Sequence, residues 1–160
     1  MRRAAVLSLL FSWVGACAGD TVGEGGTSLE LGTGSWRFEP LEDGQELELV
    51  RGAQGGWHVW LSIRTRGLAD RSVLTLSMQP ADESRPPRSS TVTMVLDPAD
   101  DEGFRDFVGY TGIVDDPSCL LGQMMRVEAT AEVDGERLTT ERYFVPMGGS
   151  YPPPPCTAGD

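Results

Sequence analysis

Apolar and polar side chains alternate along several short stretches of this chain, and the clearest stretch is Trp57–Arg66. Val59, Leu61 and Ile63 would point to one side of it, together with the first residue of the stretch. His58 and every second residue after it, up to Arg66, would point to the other side. A period of two predicts a half-buried β-strand, and the glycine-rich segment just before it is typical of a turn.

The same alternation predicts further strands along the chain. They cover 36–40, Gln45–Arg51, 72–78, 91–96, 104–114, Met125–Val133 and 137–145. The 104–114 stretch contains glycines and predicts a strand with an irregular turn, whereas Asp134-Gly135 predicts a tight hairpin. About seven to eight strands without a clear helix in the mature chain favour an all-β fold, specifically a single antiparallel β-sandwich.

One of these strands also resembles a known family of domains. Residues 120–135 fit the pattern L-x-G-x-x-x-x-V-x-A-x-A-x-V-D-G. The pattern resembles the penultimate strand of bacterial Ig-like and fibronectin-III-like modules. The resemblance implies an Ig-like sandwich and no particular activity, because such folds carry many functions.

The N-terminus has the pattern of an export signal. Arg2 and Arg3 precede an apolar segment, 4–14, that is too short to span a bilayer, and V-G-A-C ends at Cys17. The last four residues resemble the bacterial lipobox, with Val14 in place of the commoner leucine. The resemblance implies that residues 1–16 are a signal-peptide helix, that cleavage precedes Cys17, and that this cysteine receives a diacylglyceryl group and palmitate-type acylation. The alternative is an ordinary cleaved signal.

The lipobox resemblance also implies a location in the cell envelope. Ala18, and no aspartate, follows the cysteine, which in Gram-negative lipoproteins favours the outer membrane, on its periplasmic or its outer surface. Residues 17–35 are predicted to be the lipidated cysteine and a flexible Gly-rich linker, although Leu29 and Leu31 could begin an edge strand. The β-sandwich would then cover 36–147, and 148–160 would be a Pro-rich C-terminal tail.

Charge and cysteine content narrow the classes of partner. The formal net charge is −11, and all 13 basic residues are arginine. Such an acidic chain is a poor binder of nucleic acid and of anionic lipid surfaces. With Cys17 lipidated, Cys119 and Cys156 are expected to form a disulfide in an oxidising compartment, the alternative being two free thiols.

Residues for catalysis or metal binding are scarce in the sequence. His58 is the only histidine, and no serine lies in a G-x-S-x-G context. We therefore expect no enzyme activity, no cofactor and no metal site. The acidic loops at 97–106 and 115–116 could suggest calcium, but their spacing does not match an EF-hand, which favours solvated carboxylates.

The outward face of the Trp57–Arg66 strand offers the one candidate contact surface. His58, Trp60 and Arg64 alternate along it, and tryptophan beside cations suits a protein or carbohydrate contact. The alternative is that a loop covers Trp60. The sequence thus predicts a lipid-anchored, non-catalytic binding or structural module with an envelope protein or glycan as partner. An accessory subunit of an envelope complex is the alternative, and a secreted enzyme is less favoured.

Overall fold

The computed structural model describes residues 26–133 and 135–157. The elements in this part are β1 (Ser28–Thr33), β2 (Glu39–Pro40), β3 (Gln45–Arg51), β4 (Trp57–Arg66), β5 (Arg71–Pro80), β6 (Arg88–Val95), β7 (Arg105–Ile113), α1 (Pro117–Leu120), β8 (Met125–Val133) and β9 (Glu136–Gly148). The all-β prediction is confirmed. The predicted signal peptide, Cys17 and Asp134 lie outside the described residues. No described helix is long and apolar enough to cross a membrane.

The strands form one curled, mixed sheet. Its order is β2-β1-β4-β3-β9-β8-β5-β6, and β7 pairs with β4 outside this path. All the strand pairs are antiparallel except β3–β9, which is parallel and aligns Gln45 with Phe144. The prediction of a purely antiparallel arrangement is therefore wrong at this pair. Alternation along a strand determines which face is buried, but it does not determine which strand lies alongside.

The curl encloses a single apolar core and brings β6 close to β7. The buried side chains that form this core come from nearly every strand, and the largest fully buried ones include Phe144, Leu29, Leu31, Leu49, Leu61, Ile63 and Leu74. At the β6–β7 seam, the hydroxyls of Ser90 and Tyr110 lie 2.5 Å apart. An ion pair between Arg88 and Asp115 spans the same seam.

The predicted inward faces of the long strands are confirmed. Val59, Leu61 and Ile63 of β4 are fully buried, and so is Val127 of β8. In β9, the predicted inward residues Leu138, Thr140 and Phe144 are also buried, whereas Arg142 on the same face stays half-exposed. The β8–β9 register runs without a break from Met125↔Phe144 to Val133↔Glu136, so no bulge accommodates Arg142.

The first strand begins inside the segment predicted to be the linker. Residues Ser28–Thr33 form β1, which pairs with β4 over five positions. Leu29 and Leu31 are buried to within 2 % because they point into the core. Two leucines in alternate positions thus suffice to join this glycine- and acid-rich segment to the folded body.

The stretch 36–40 is mostly a loop, and the strand prediction for it is wrong. Only Glu39 and Pro40 pair, against Thr33 and Gly32 of β1. Phe38 is buried, but Trp36, two residues before it, is 94 % exposed. The chain reverses direction before this stretch because Gly34 takes φ 101°, a conformation that glycine adopts without steric cost.

The C-terminal segment is attached to the body at two points. Strand β9 continues to Gly148, the first residue of the predicted tail, and Pro153 beyond it is buried. The sulfur atoms of Cys119 and Cys156 lie at bonding distance, with their Cα atoms 4.7 Å apart. This placement is consistent with the predicted disulfide.

Candidate functional site

A loop lies across the outward face of β4, and we call residues 34–38 the cover loop. It approaches the sheet where two glycines leave room: Gly32 lies under the ring of Phe38, and a side chain at Gly109 would meet the carbonyl of Ser35 at 2.9 Å. The hydroxyl of Ser62 on β4 donates to the carbonyl of Gly34 at 2.9 Å. Part of the outward face is therefore covered, and Trp36 is displayed above it.

Arg64, one of the three predicted contact residues, is engaged within the fold. Its guanidinium donates two hydrogen bonds of 2.9 Å to the carboxylate of Asp106 on β7. The same group lies 4.4 Å from the centre of the Phe38 ring, so the cover loop packs on it. The hydrogen bond that Arg64 donates to Asp106 raises the pKa of Arg64 above its ordinary value. Arg64 thus fixes the cover loop and is not directed at a ligand.

His58, the second predicted contact residue, is 8 % exposed. Its ring meets the Trp60 ring edge-to-face, with centroids 4.7 Å apart. Within the described residues, Nε2 has no hydrogen-bond partner. Burial lowers the pKa of His58, so the ring is neutral at pH 7. The histidine therefore supports Trp60 by packing.

Trp60, the third predicted contact residue, is half-buried and borders an open groove. We call this groove, which lies between the cover loop and β3, the fork groove. Its volume is about 630 Å³, within the range of roughly 300–1,000 Å³ that ligand sites usually have. The Thr33 hydroxyl donates to the Trp60 carbonyl at 2.7 Å on the same side of β4. The exposed part of Trp60 therefore faces the fork groove.

The fork groove is acidic and carries an exposed tryptophan on its rim. Its charged lining residues are Arg37, Glu39, Glu46 and Glu48. Arg37 donates to Glu39 at 2.8 Å, so these two charges largely offset each other. The side chain of Trp36, 94 % exposed, lines the same groove as the remaining two glutamates. The arrangement can hold a ligand by an aromatic surface and negative charge together.

The acidic loops have local roles within the fold. Asp100 accepts the backbone N–H groups of Glu102 and Phe104 at 3.0 and 2.8 Å, which closes its own loop. Asp116 pairs with Arg85 in the loop between β5 and β6, and Asp115 pairs with Arg88 at the start of β6. Among the residues described by the structure, no three His, Cys, Asp or Glu side chains are grouped to hold a metal ion.

The structure brings His58 and Trp60 together but directs Arg64 elsewhere, and it adds residues that the sequence did not single out. Trp36 and Glu46 join Trp60 at the groove although neither lies on β4. The alternation along 36–40 predicted that Trp36 lies in a short strand. The turn-forming Gly34-Ser35 just before it was the one local signal that this tryptophan could lie in a loop instead.

No protein-family model matches the chain, and no curated protein shows significant similarity to it.

Proposed function

We propose that this protein is a lipid-anchored envelope protein whose β domain binds a partner through the fork groove. The observation that carries the binding function is Trp36, 94 % exposed on the rim of a groove that also contains Trp60. Exposing a whole indole to water forfeits roughly 1.5–3 kcal/mol of burial free energy, which a partner could recover. Tryptophan is also among the residues most enriched at binding hot spots.

The lipid anchor is supported by the V-G-A-C sequence that ends at Cys17. Several acyl chains on one cysteine hold a protein at a membrane almost permanently, because each buried methylene contributes about 0.8 kcal/mol. The anchor and the groove are separated by the glycine-rich residues 18–27. The domain would therefore stand above the headgroups with its groove accessible.

The domain itself is of the Ig-like sandwich kind in this proposal. The support is the 120–135 pattern, the parallel contact of an early strand with the last one, and the curl that places β4 and β8 around one core. Such a module serves as a rigid platform, so loops such as the cover loop supply the contacts.

Comparison of the natural chain with the Cys17→Ala variant tests the anchor. The natural chain should sediment with membranes and be released by detergent, and its mature N-terminal peptide should begin with an acylated Cys17. The variant should lack the acylated N-terminal peptide. A natural chain that is cleaved elsewhere and washes off membranes in salt would refute the anchor.

Trp36→Ala tests the binding function separately. Because the indole makes no core contact, the variant should keep the stability of the natural protein while losing its envelope partner. Val95→Ala on β6 is the matched control, since that apolar side chain is 61 % exposed and does not line the groove. Equal partner recovery from both variants would exclude the groove as the binding site.

A further inference from the structure

The groove-facing part of β3 is an incompletely paired strand. Residues Gln45 to Leu49 pair with β9 on one side. On the other side only Val50 and Arg51 pair, with His58 and Trp57 of β4. Within residues 26–133 and 135–157, no strand pairs with the second edge of the first five residues.

This edge is open because two strands share one side of β4. β7 pairs with β4 from His58 to Thr65 on the opposite side, so β1 and β3 must lie on the same side. β1 covers positions 62–66 of β4 and β3 covers only 57–58, and the two strands diverge between them. The fork groove is the space left at that divergence, and consecutive residues of β3 line it. An unpaired edge of this kind is a template for another strand.

The charges around this edge select the kind of strand that would fit. Glu48 accepts the backbone N–H of Ser150 at 3.3 Å, so part of its charge is used internally. In the described part of the chain, the exposed carboxylate of Glu46 has no ion-pair or hydrogen-bond partner. The Trp36 indole lines the same groove and is 94 % exposed, and cations bind exposed indole faces with about 0.5–1 kcal/mol.

We propose that the fork groove binds an extended, lysine- or arginine-bearing segment of a partner protein, which adds as a strand along Gln45–Leu49 of β3. The proposal rests on the function proposed above for the groove and specifies its ligand. Backbone hydrogen bonds supply affinity in this mode, and alternate side chains of the added strand supply specificity. A basic side chain on the groove side meets Glu46 and Trp36. A second copy of this chain, with a formal charge of −11, is disfavoured by repulsion.

The experiment measures binding of a synthetic peptide to the full-length acylated protein in detergent, by calorimetry. The peptide is as long as β3, 7 residues, and alternates lysine with threonine or valine. One comparison peptide carries glutamate in place of lysine. A second keeps the lysines and carries N-methyl groups on alternate backbone amides. We expect binding of the lysine peptide alone, weakened by salt. Glu46→Gln and Trp36→Ala should each weaken it about two- to fivefold, and Val95→Ala should leave it unchanged.

Any other result would contradict the proposal, and each result would show which part of the proposal is wrong. Equal binding of the N-methylated peptide would mean that no strand is added. Equal binding of the glutamate peptide, or none of the lysine peptide, would exclude a basic segment as the ligand. If a neutral oligosaccharide binds in a Trp36-dependent manner instead, this inference fails while the proposed binding function survives. Trp36-independent recovery of the envelope partner would refute both.

Discussion

Two glycines determine where the cover loop can lie. At Gly32, a Cβ atom would meet the Phe38 ring and would lie 2.6 Å from the Glu39 carbonyl oxygen. At Gly109, where φ is 74°, it would meet the Ser35 carbonyl. Both contacts are closer than real Cβ atoms approach. The cover loop, and with it Trp36, therefore depends on the absence of side chains at these positions.

Gly32→Ala tests this dependence. The methyl group should push the Phe38 ring and β2 away from the sheet and destabilise the protein by about 1–3 kcal/mol, as overpacking does. Gly56→Ala is the matched control, because nothing lies within 4 Å of a Cβ atom there. Its effect should stay within about 0.5 kcal/mol. Urea unfolding measures both, and equal stability of the two variants would contradict the described packing.

The buried His58 should make stability depend on pH. Its folded-state pKa is lowered by burial, so the unfolded chain binds a proton more readily. Stability is therefore complete above the unfolded pKa of about 6.5 and is lost as the pH falls towards the folded value. Asp82, whose pKa is lowered by the hydroxyl and N–H of Ser84, acts only at more acidic pH.

His58→Gln removes this contribution and provides the test. From about pH 7.5 to about pH 5, the melting temperature of the natural protein should fall more steeply than that of the variant. The comparison uses the two slopes, so a constant loss of stability in the variant does not affect it. Parallel slopes would show that the histidine is not held neutral by its surroundings.

At the scale of strands, threonine hydroxyls on the outer face of the β6-β5-β8-β9 region hydrogen-bond to one another across neighbouring strands. Thr91, Thr75, Thr130 and Thr139 lie in one row across the four strands. The first two hydroxyls are 3.2 Å apart, and so are the last two. Cross-strand pairs of this kind each contribute roughly 0.2–1 kcal/mol.

The bond expected between Cys119 and Cys156 connects α1 to the C-terminal tail. It closes a loop with a sequence separation of 37. The chain-entropy model gives about 3–4 kcal/mol for such a loop. The Cys119→Ser, Cys156→Ser double variant should lose stability of that order, and a reductant should destabilise the natural protein alone. A reductant that leaves the natural protein unaffected would contradict the pairing.

Strand positions were predictable where alternation ran through several apolar residues. β4, β8 and most of β9 are of this kind, because their apolar residues recur at every second position. In β4 the opposite face is partly buried as well, at His58 and Ser62. β1 was harder because only Leu29 and Leu31 carry its signal among small and acidic residues. The parallel β3–β9 pair was not predictable at all, because register and partner depend on long-range packing. The fork groove follows from that pairing and was therefore hidden from the sequence.

At the scale of the whole molecule, the groove and the chain's charge act together. The formal charge of −11 repels other acidic molecules and attracts basic ones over a distance of about 8–10 Å at moderate salt. Glu46 and Glu48 contribute negative charge to the groove that Trp36 also lines. A basic partner would thus be steered to the surface that binds it, which raises its association rate more than its affinity.

Site-specific photocrosslinking in the native envelope tests the central claim most directly. A photoreactive residue replaces Trp36 in one protein and Val95, which is exposed but does not line the groove, in another, with all else unchanged. The account predicts one discrete crosslinked partner from position 36, none from position 95, and competition by the lysine-bearing peptide. No adduct at position 36, or the same set of adducts from both positions, would show that the fork groove is not where this protein binds.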